Sequence, residues 1–221
     1  MSGIACTSAS FPRLCLVIDD ESQHAQVIVL KDGEIRAGDT ISLIDDRYED
    51  EPLELDGEGV AFTERSFYII GSHGHPRDKS TRLDPVEDAA EIAARVKASS
   101  QLIRIRIDPA AVTAKGKLTS TPEIEHSSSL RDILLAEPAL KPFINKRLDD
   151  NGLTIEGVAI HAGRLYAALR APSLDGRGVI LSVTLGSLFG NAPPQARLHS
   201  LHLGRDRGFR DLVAYPPHSL H

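Results

Sequence analysis

Cysteine is scarce in this chain: Cys6 and Cys15 are the only two in 221 residues. Neither a C-x-x-C nor a C…H-x-x-x-H spacing occurs, which argues against a structural zinc site. The two thiols fall on the two strands of one predicted hairpin. A cross-strand disulfide is one reading; two buried free thiols are the expected one, because buried free cysteine is common and two cysteines make no disulfide framework. No apolar run approaches the ~18 residues of a membrane span. Met1 leads straight into a strand pattern, without the basic and apolar leader of an exported chain. The expectation is a soluble, cytoplasmic protein that does not engage membranes.

Excess basic charge is missing too. With 25 Lys+Arg against 31 Asp+Glu, the net charge is −6 and the pI about 5.8. That balance argues against general nucleic-acid binding, which shows as a basic patch or a high pI. No G-x-S-x-G is present, which disfavours an α/β-hydrolase. The acidic stretch from Asp45 to Asp56 lacks the D-x-[DN]-x-[DN]-G spacing of a calcium loop and reads as a solvated connector.

What is present is a recurring hairpin. Its clearest copy is Thr154–Ile160 followed by Arg164–Leu169, with a tight turn at Ala162-Gly163. Earlier copies are Gly59–Phe62 with Phe67–Gly71, and Gly3–Cys6 with Leu14–Ile18. A weaker one begins at Arg210-Asp211-Leu212. Gly3, Gly59, Gly157 and Asp211 are separated by 56, 98 and 54 residues, against propeller repeats of about 40 to 50. Short strands divided by Gly and Asp turns suit four-stranded antiparallel blades. The expected fold is therefore all-β, an incomplete β-propeller-like array of such blades with helical inserts. It forms one domain over 1–221, with units at about 2–46, 56–125 and 152–204 and the start of a further one at 207–221. The third and fourth strands of the first unit are expected at Gln26–Leu30 and Thr40–Ile44. The third unit continues through Gly178–Leu185 and Arg197–Leu203, and in the second unit Gln101–Asp108 alternates as a strand. Helical inserts are predicted at about 85–99, where Asp84 and Pro85 suit an N-terminus, and at about 128–147, which Pro138 interrupts.

In a propeller the first strand of each blade lies nearest the central channel and the second returns beside it. The start of strand one and the end of strand two then share one rim. The residues there are charged: Asp20, Glu21, Asp56, Glu58, His73, Glu156, Arg170, Arg210 and Asp211. Carboxylates in that number could hold a divalent cation such as calcium through oxygen. Arginines beside them could hold an anion in bidentate fashion, and the two together suit metal-assisted phosphoester hydrolysis. The plainer alternative is that Glu–Arg pairs lock neighbouring blades, since an unpaired charge at a narrow channel end is costly. Ser72 and His73 point to opposite faces if they lie on a strand, so they form no nucleophile–base pair. His73 and His75 read as loop histidines facing solvent.

At these motifs the chain resembles a bacterial family, the domain of unknown function 3616. The pieces that carry the resemblance are Ser2-Gly3-Ile4-Ala5, Asp19-Asp20-Glu21-Ser22, Asp56-Gly57-Glu58-Gly59, Gly71-Ser72-His73, Asn151 to Gly157, Leu169-Arg170-Ala171-Pro172 and Gly208-Phe209-Arg210-Asp211-Leu212. They span nearly the whole chain in the family's order. The resemblance implies a propeller-like β fold and no established activity. It also implies further residues beyond the Arg-Asp-Leu motif, and hence an incomplete propeller. The family is distantly similar to propeller proteins called esterase-like phytases, a fold-level likeness that is a poor warrant for chemistry. The expected function is a propeller-like scaffold binding a small polar or anionic ligand, or a partner, at the channel rim. A metal-dependent phosphoesterase and a structural interaction domain are the alternatives.

Overall fold

The computed structural model describes residues 1–78 and 82–214. Three four-stranded antiparallel sheets follow one another along the chain. The first contains β1 (Gly3–Cys6), β2 (Arg13–Ile18), β3 (His24–Lys31) and β4 (Glu34–Ser42). A short ribbon, β5 (Arg47–Tyr48) with β6 (Glu51–Pro52), leads to the second. That sheet is built from β7 (Gly57–Thr63), β8 (Ser66–Gly71), β9 (Leu102–Arg106) and β10 (Glu123–Ser127). The third has β11 (Thr154–His161), β12 (Arg164–Ala171), β13 (Arg177–Thr184) and β14 (Arg197–His202). Within each sheet the strands lie in chain order. The first strands of successive sheets touch, β1 against β7 and β7 against β11. The result is an open, propeller-like all-β array.

The burial pattern follows from that arrangement. β8 reads Ser-Phe-Tyr-Ile-Ile-Gly and is buried at every position, as expected of a strand covered on both faces. Phe67 and Ile69 face a core shared with Leu16, Ile18 and Leu55. Tyr68 and Ile70 face another, shared with Leu130, Ile155 and Leu169. β3 in the first sheet alternates between buried and more open positions, the mark of one covered face.

Where first strands meet, the side chains are missing. A Cβ added at Gly3 would lie 3.0 Å from Gly59 Cα, and one at Gly59 would lie 3.0 Å from the Val158 nitrogen. One at Gly157 would lie 2.7 Å from the Leu212 nitrogen. Backbone thus packs on backbone at each joint, and only glycine admits the approach.

Two helices occupy the inserts. α1 (Ala89–Ser99) separates β8 from β9, and α2 (Ser129–Ala136) follows β10. The predicted start of the first helix at 85 moves to Ala89, because Pro85–Asp88 form a turn whose amides bond Asp84. The second insert is one helix and two short 3₁₀ turns, since the chain turns at Glu137-Pro138. A third helix, α3 (Leu185–Leu188), is a single turn after β13. Among the described residues no helix is long and apolar enough to cross a membrane.

Three strand-level expectations are corrected. β4 begins at Glu34, directly after the Asp32-Gly33 turn, and ends at Ser42. The outer strand of the second sheet, which the sequence places within Lys117 to Glu125, is Glu123–Ser127. Residues 211–214 adopt no regular strand, although Leu212 lies against Gly157 where a further first strand would begin; the rest of that predicted unit, 215–221, lies outside the described residues.

The expected free thiols are also corrected. Cys6 and Cys15 form a disulfide across β1 and β2. They are register partners, and the neighbouring Thr7–Leu14 pair carries the ladder hydrogen bond. Cys6–Cys15 therefore sits at a non-hydrogen-bonded position, where antiparallel strands come closest.

Candidate ligand site at the inner-strand rim

Two of the rim carboxylates owe their position to β-bulges. Along β11 and β12, Ile155 pairs with Leu169 and Gly157 with Ala168, leaving Glu156 as the extra residue. Along β7 and β8, Gly57 pairs with Gly71 and Gly59 with Ile70, leaving Glu58 as the extra residue. A bulge re-aims the side chain of the residue it leaves unpaired. The repeat therefore presents one glutamate at the same place in two consecutive sheets.

Their surroundings differ. Glu156 is 8% exposed and holds two arginines. Its Oε1 accepts from Arg170 Nη1 at 2.6 Å and its Oε2 from Arg210 Nη1 at 2.9 Å. Arg170 comes from β12. Arg210 arrives because Gly208 presses against the Arg170 carbonyl and the Phe209 amide donates to the Leu169 carbonyl at 3.0 Å. Any Cβ at Gly208 would lie 1.7 Å from that carbonyl oxygen.

Glu58 has no such partner. The pairing register puts Ser72 where the third sheet has Arg170. Among the described residues no hydrogen bond or ion pair reaches the Glu58 carboxyl. Burial, then the charges of Asp56 and Glu156, push it up from 4.5 to about 8.

A third group links the first and second sheets. Arg77 Nη2 donates to Asp56 Oδ1 at 3.0 Å and to Asp20 Oδ2 at 3.3 Å. The hydrogen bond to Asp56 is the largest cause raising the Arg77 guanidinium. Burial works to raise Asp20, but hydrogen bonds from its backbone surroundings, Ser2 and Arg77 outweigh it and hold the carboxyl below its ordinary range. Arg77 is absent from the sequence-derived set. It lies in an irregular segment without periodicity, and Arg95 of α1 supports it through its carbonyl at 2.9 Å.

Asp20, Asp56, Glu58, Glu156, Arg170 and Arg210 thus lie in one charged region, with Arg77 added. Glu21 is exposed, and its amide bonds Asp19. Asp211 is exposed, its carboxylate taken up by the Leu212 amide. Neither joins the arginine network. His73 is a larger departure: it is fully buried, not at the rim. Its φ of 55° turns the chain inward after β8. The neutral ring donates from Nδ1 to the Gly71 carbonyl at 2.9 Å. Burial pushes the ring down to about 4, and Nε2 is left without a partner. His75 bonds the Pro76 carbonyl instead of a shared centre.

The sequence leaves open a divalent cation such as calcium at the rim. Among the described residues no three His, Cys, Asp or Glu side chains stand close enough to hold a metal ion. Arg77 stands between Asp20 and Asp56, and Arg170 and Arg210 hold Glu156.

Beside the Glu156 pair lies a cavity of about 390 Å³, lined by Arg170, Arg210, Ser173, Asn151, Asp149 and Asp206 among others. Each arginine commits one nitrogen to Glu156 and has no other hydrogen bond among the described residues. The Ser173 hydroxyl is buried and unpartnered. Asn151 clamps the Ser173 backbone from both sides, accepting from its amide at 2.8 Å and donating to its carbonyl at 3.1 Å. Asn151 itself takes φ 61° at the end of a 3₁₀ turn. The arrangement offers two positioned guanidinium groups and one free hydroxyl to a small acceptor.

A search of curated proteins finds no match to the chain. The model of a family described as protein of unknown function (DUF3616) matches residues 10–208, and the chain belongs to that family.

Proposed function

We propose that the protein is a propeller-like binding module that takes a small anionic ligand at the rim, in the cavity beside Glu156. One observation carries this reading. Arg170 and Arg210 are pinned by a shared buried carboxylate, keep their remaining donors uncommitted, and line a polar cavity with the unpartnered Ser173 hydroxyl. Glu156 acts as a positioning residue, and the planar arginine fork suits a carboxylate or phosphate. Titration of the protein with inorganic phosphate and with citrate tests it. At least one should bind saturably, and Arg210→Gln, at an exposed position, should weaken binding roughly tenfold. Failure of both anions to bind, or equal binding by the variant, overturns it.

A structural role is the second reading. Arg77 bridges Asp20 from the first sheet to Asp56 at the start of the second. Glu156 likewise joins β12 to the segment after β14. On this reading the rim only staples neighbouring units, and no anion binds. A metal-dependent phosphoesterase would need a group of oxygen ligands, and three of the rim carboxylates, Asp20, Asp56 and Glu156, are engaged by arginines, so it ranks below both. The Cys6–Cys15 disulfide weighs toward an oxidising compartment and against the cytoplasm.

A further inference from the structure

Away from the rim, a cavity of about 730 Å³ lies between α1 and the start of α2, within the size range of small-molecule sites. Its sides differ in chemistry. Ala89, Ile92, Ala93 and Val96 of α1 form an apolar wall. Ser100, the residue that closes α1, and Arg131 of α2 add polar groups to the lining.

Arg131 is half-buried in the first turn of α2. Its Nη1 donates to the His73 carbonyl at 2.7 Å and its Nη2 to Asn145 Oδ1 at 3.3 Å. Both partners are neutral, and among the described residues no carboxylate stands at ion-pair distance. A partly buried cation without a counter-ion is costly; burial alone pulls this guanidinium below its ordinary value. Ser100 is 5% exposed, and its hydroxyl oxygen has no hydrogen-bond partner. Ser128, at the N-cap of α2, makes no side-chain cap; Ser127 Oγ accepts from the Ser129 amide instead, at 3.2 Å. Lys97, also in the lining, is paired with Asp46 at 3.8 Å, and Asp132 adds one opposing negative charge.

We propose that this cavity binds a small organic monocarboxylate with an apolar body. The carboxylate lies between Arg131 and Ser100, and the body lies along Ala89, Ile92, Ala93 and Val96. One unmatched cation calls for one negative charge. Asp132 disfavours a doubly charged phosphate, and the α1 wall rewards an apolar tail.

Isothermal titration with octanoate tests the assignment, with octylamine as the control of opposite charge. Octanoate should bind saturably and octylamine should not. Arg131→Gln and Ser100→Ala should each weaken octanoate roughly tenfold. Because Arg131 also holds His73 and Asn145, its loss can disturb folding. Ala93→Trp, at an exposed position of the wall, fills the cavity without touching those bonds and should abolish binding. Absence of saturable octanoate binding by the native protein overturns the proposal. So does undiminished binding by Ala93→Trp, or equal binding of octylamine.

Discussion

Replacing Glu58 with glutamine should change how stability depends on pH. In the fold the carboxyl is lifted from 4.5 to about 8, chiefly by burial and then by Asp56 and Glu156. The unfolded chain releases this proton near 4.5, whereas the folded chain keeps it until about 8. The native state binds more protons throughout that window, so stability falls as pH rises through it. The contribution is fully present below 4.5 and lost above about 8. At about 1.36 kcal/mol per pH unit the window is worth at most roughly 5 kcal/mol. Glu58 is only partly buried, and screening by water brings the expected loss to about 2 kcal/mol. His73 has the opposite slope, since a ring held neutral loses stability as pH falls. Comparing the native protein with Glu58→Gln at each pH cancels that slope. Urea midpoints serve as the measure. The two proteins should be nearly equal at about pH 5, and the variant should be more stable by about 2 kcal/mol at about pH 9. A difference that stays constant with pH refutes the reasoning, as does a native protein that gains on the variant as pH rises.

Glu156→Ala removes the acceptor for Arg170 and Arg210; urea denaturation should show a loss of about 1–3 kcal/mol. His73→Asn keeps a side chain suited to positive φ but cannot titrate; it should flatten the loss of stability that the buried ring causes as pH falls from 6.5 toward 4, followed by thermal melting across that range. Gly157→Ala would force a Cβ to 2.7 Å from the Leu212 nitrogen and should cost about 1–3 kcal/mol, read as a lower urea midpoint. Reduction of Cys6–Cys15, which are nine residues apart, should lower stability by about 2–3 kcal/mol, seen as a lower melting temperature in the presence of a reducing agent.

The sequence made the hairpins legible because each carries its own signal. Ala162 and Gly163 both adopt positive φ, as a two-residue hairpin turn requires, and the apolar runs on either side are strands. β4 was less legible. Its Ile35 is 75% exposed, so hydrophobic alternation does not mark it. Pairing with β3 sets it instead, across an irregularity between Gln26 and Ile28, where the Gln26 amide donates to the Gly38 carbonyl at 2.7 Å. At the rim, the charged residue types could be read, but their partners could not. A bulge adds one unpaired residue without altering composition, so the aim of Glu58 and Glu156 was hidden. His73 is a different case: in register Ser72, not His73, corresponds to Arg170, and the positive φ at His73 turns the chain inward. Arg77 was out of reach because carboxylates from two sheets and the carbonyl contact from Arg95 place it, not a local pattern.

The glycine joints have a consequence for how this chain varies in length. Gly3, Gly59 and Gly157 set the distance between neighbouring units by the thickness of the peptide backbone itself. That gauge has no rotamer to change and no side-chain volume to trim. Chain added farther out does not bear on it. The second unit illustrates the point: 98 residues separate Gly59 from Gly157, against 56 between Gly3 and Gly59, yet both joints close to the same contact. The hub is thereby decoupled from the periphery, and the periphery is where α1, α2 and their cavity were free to be inserted.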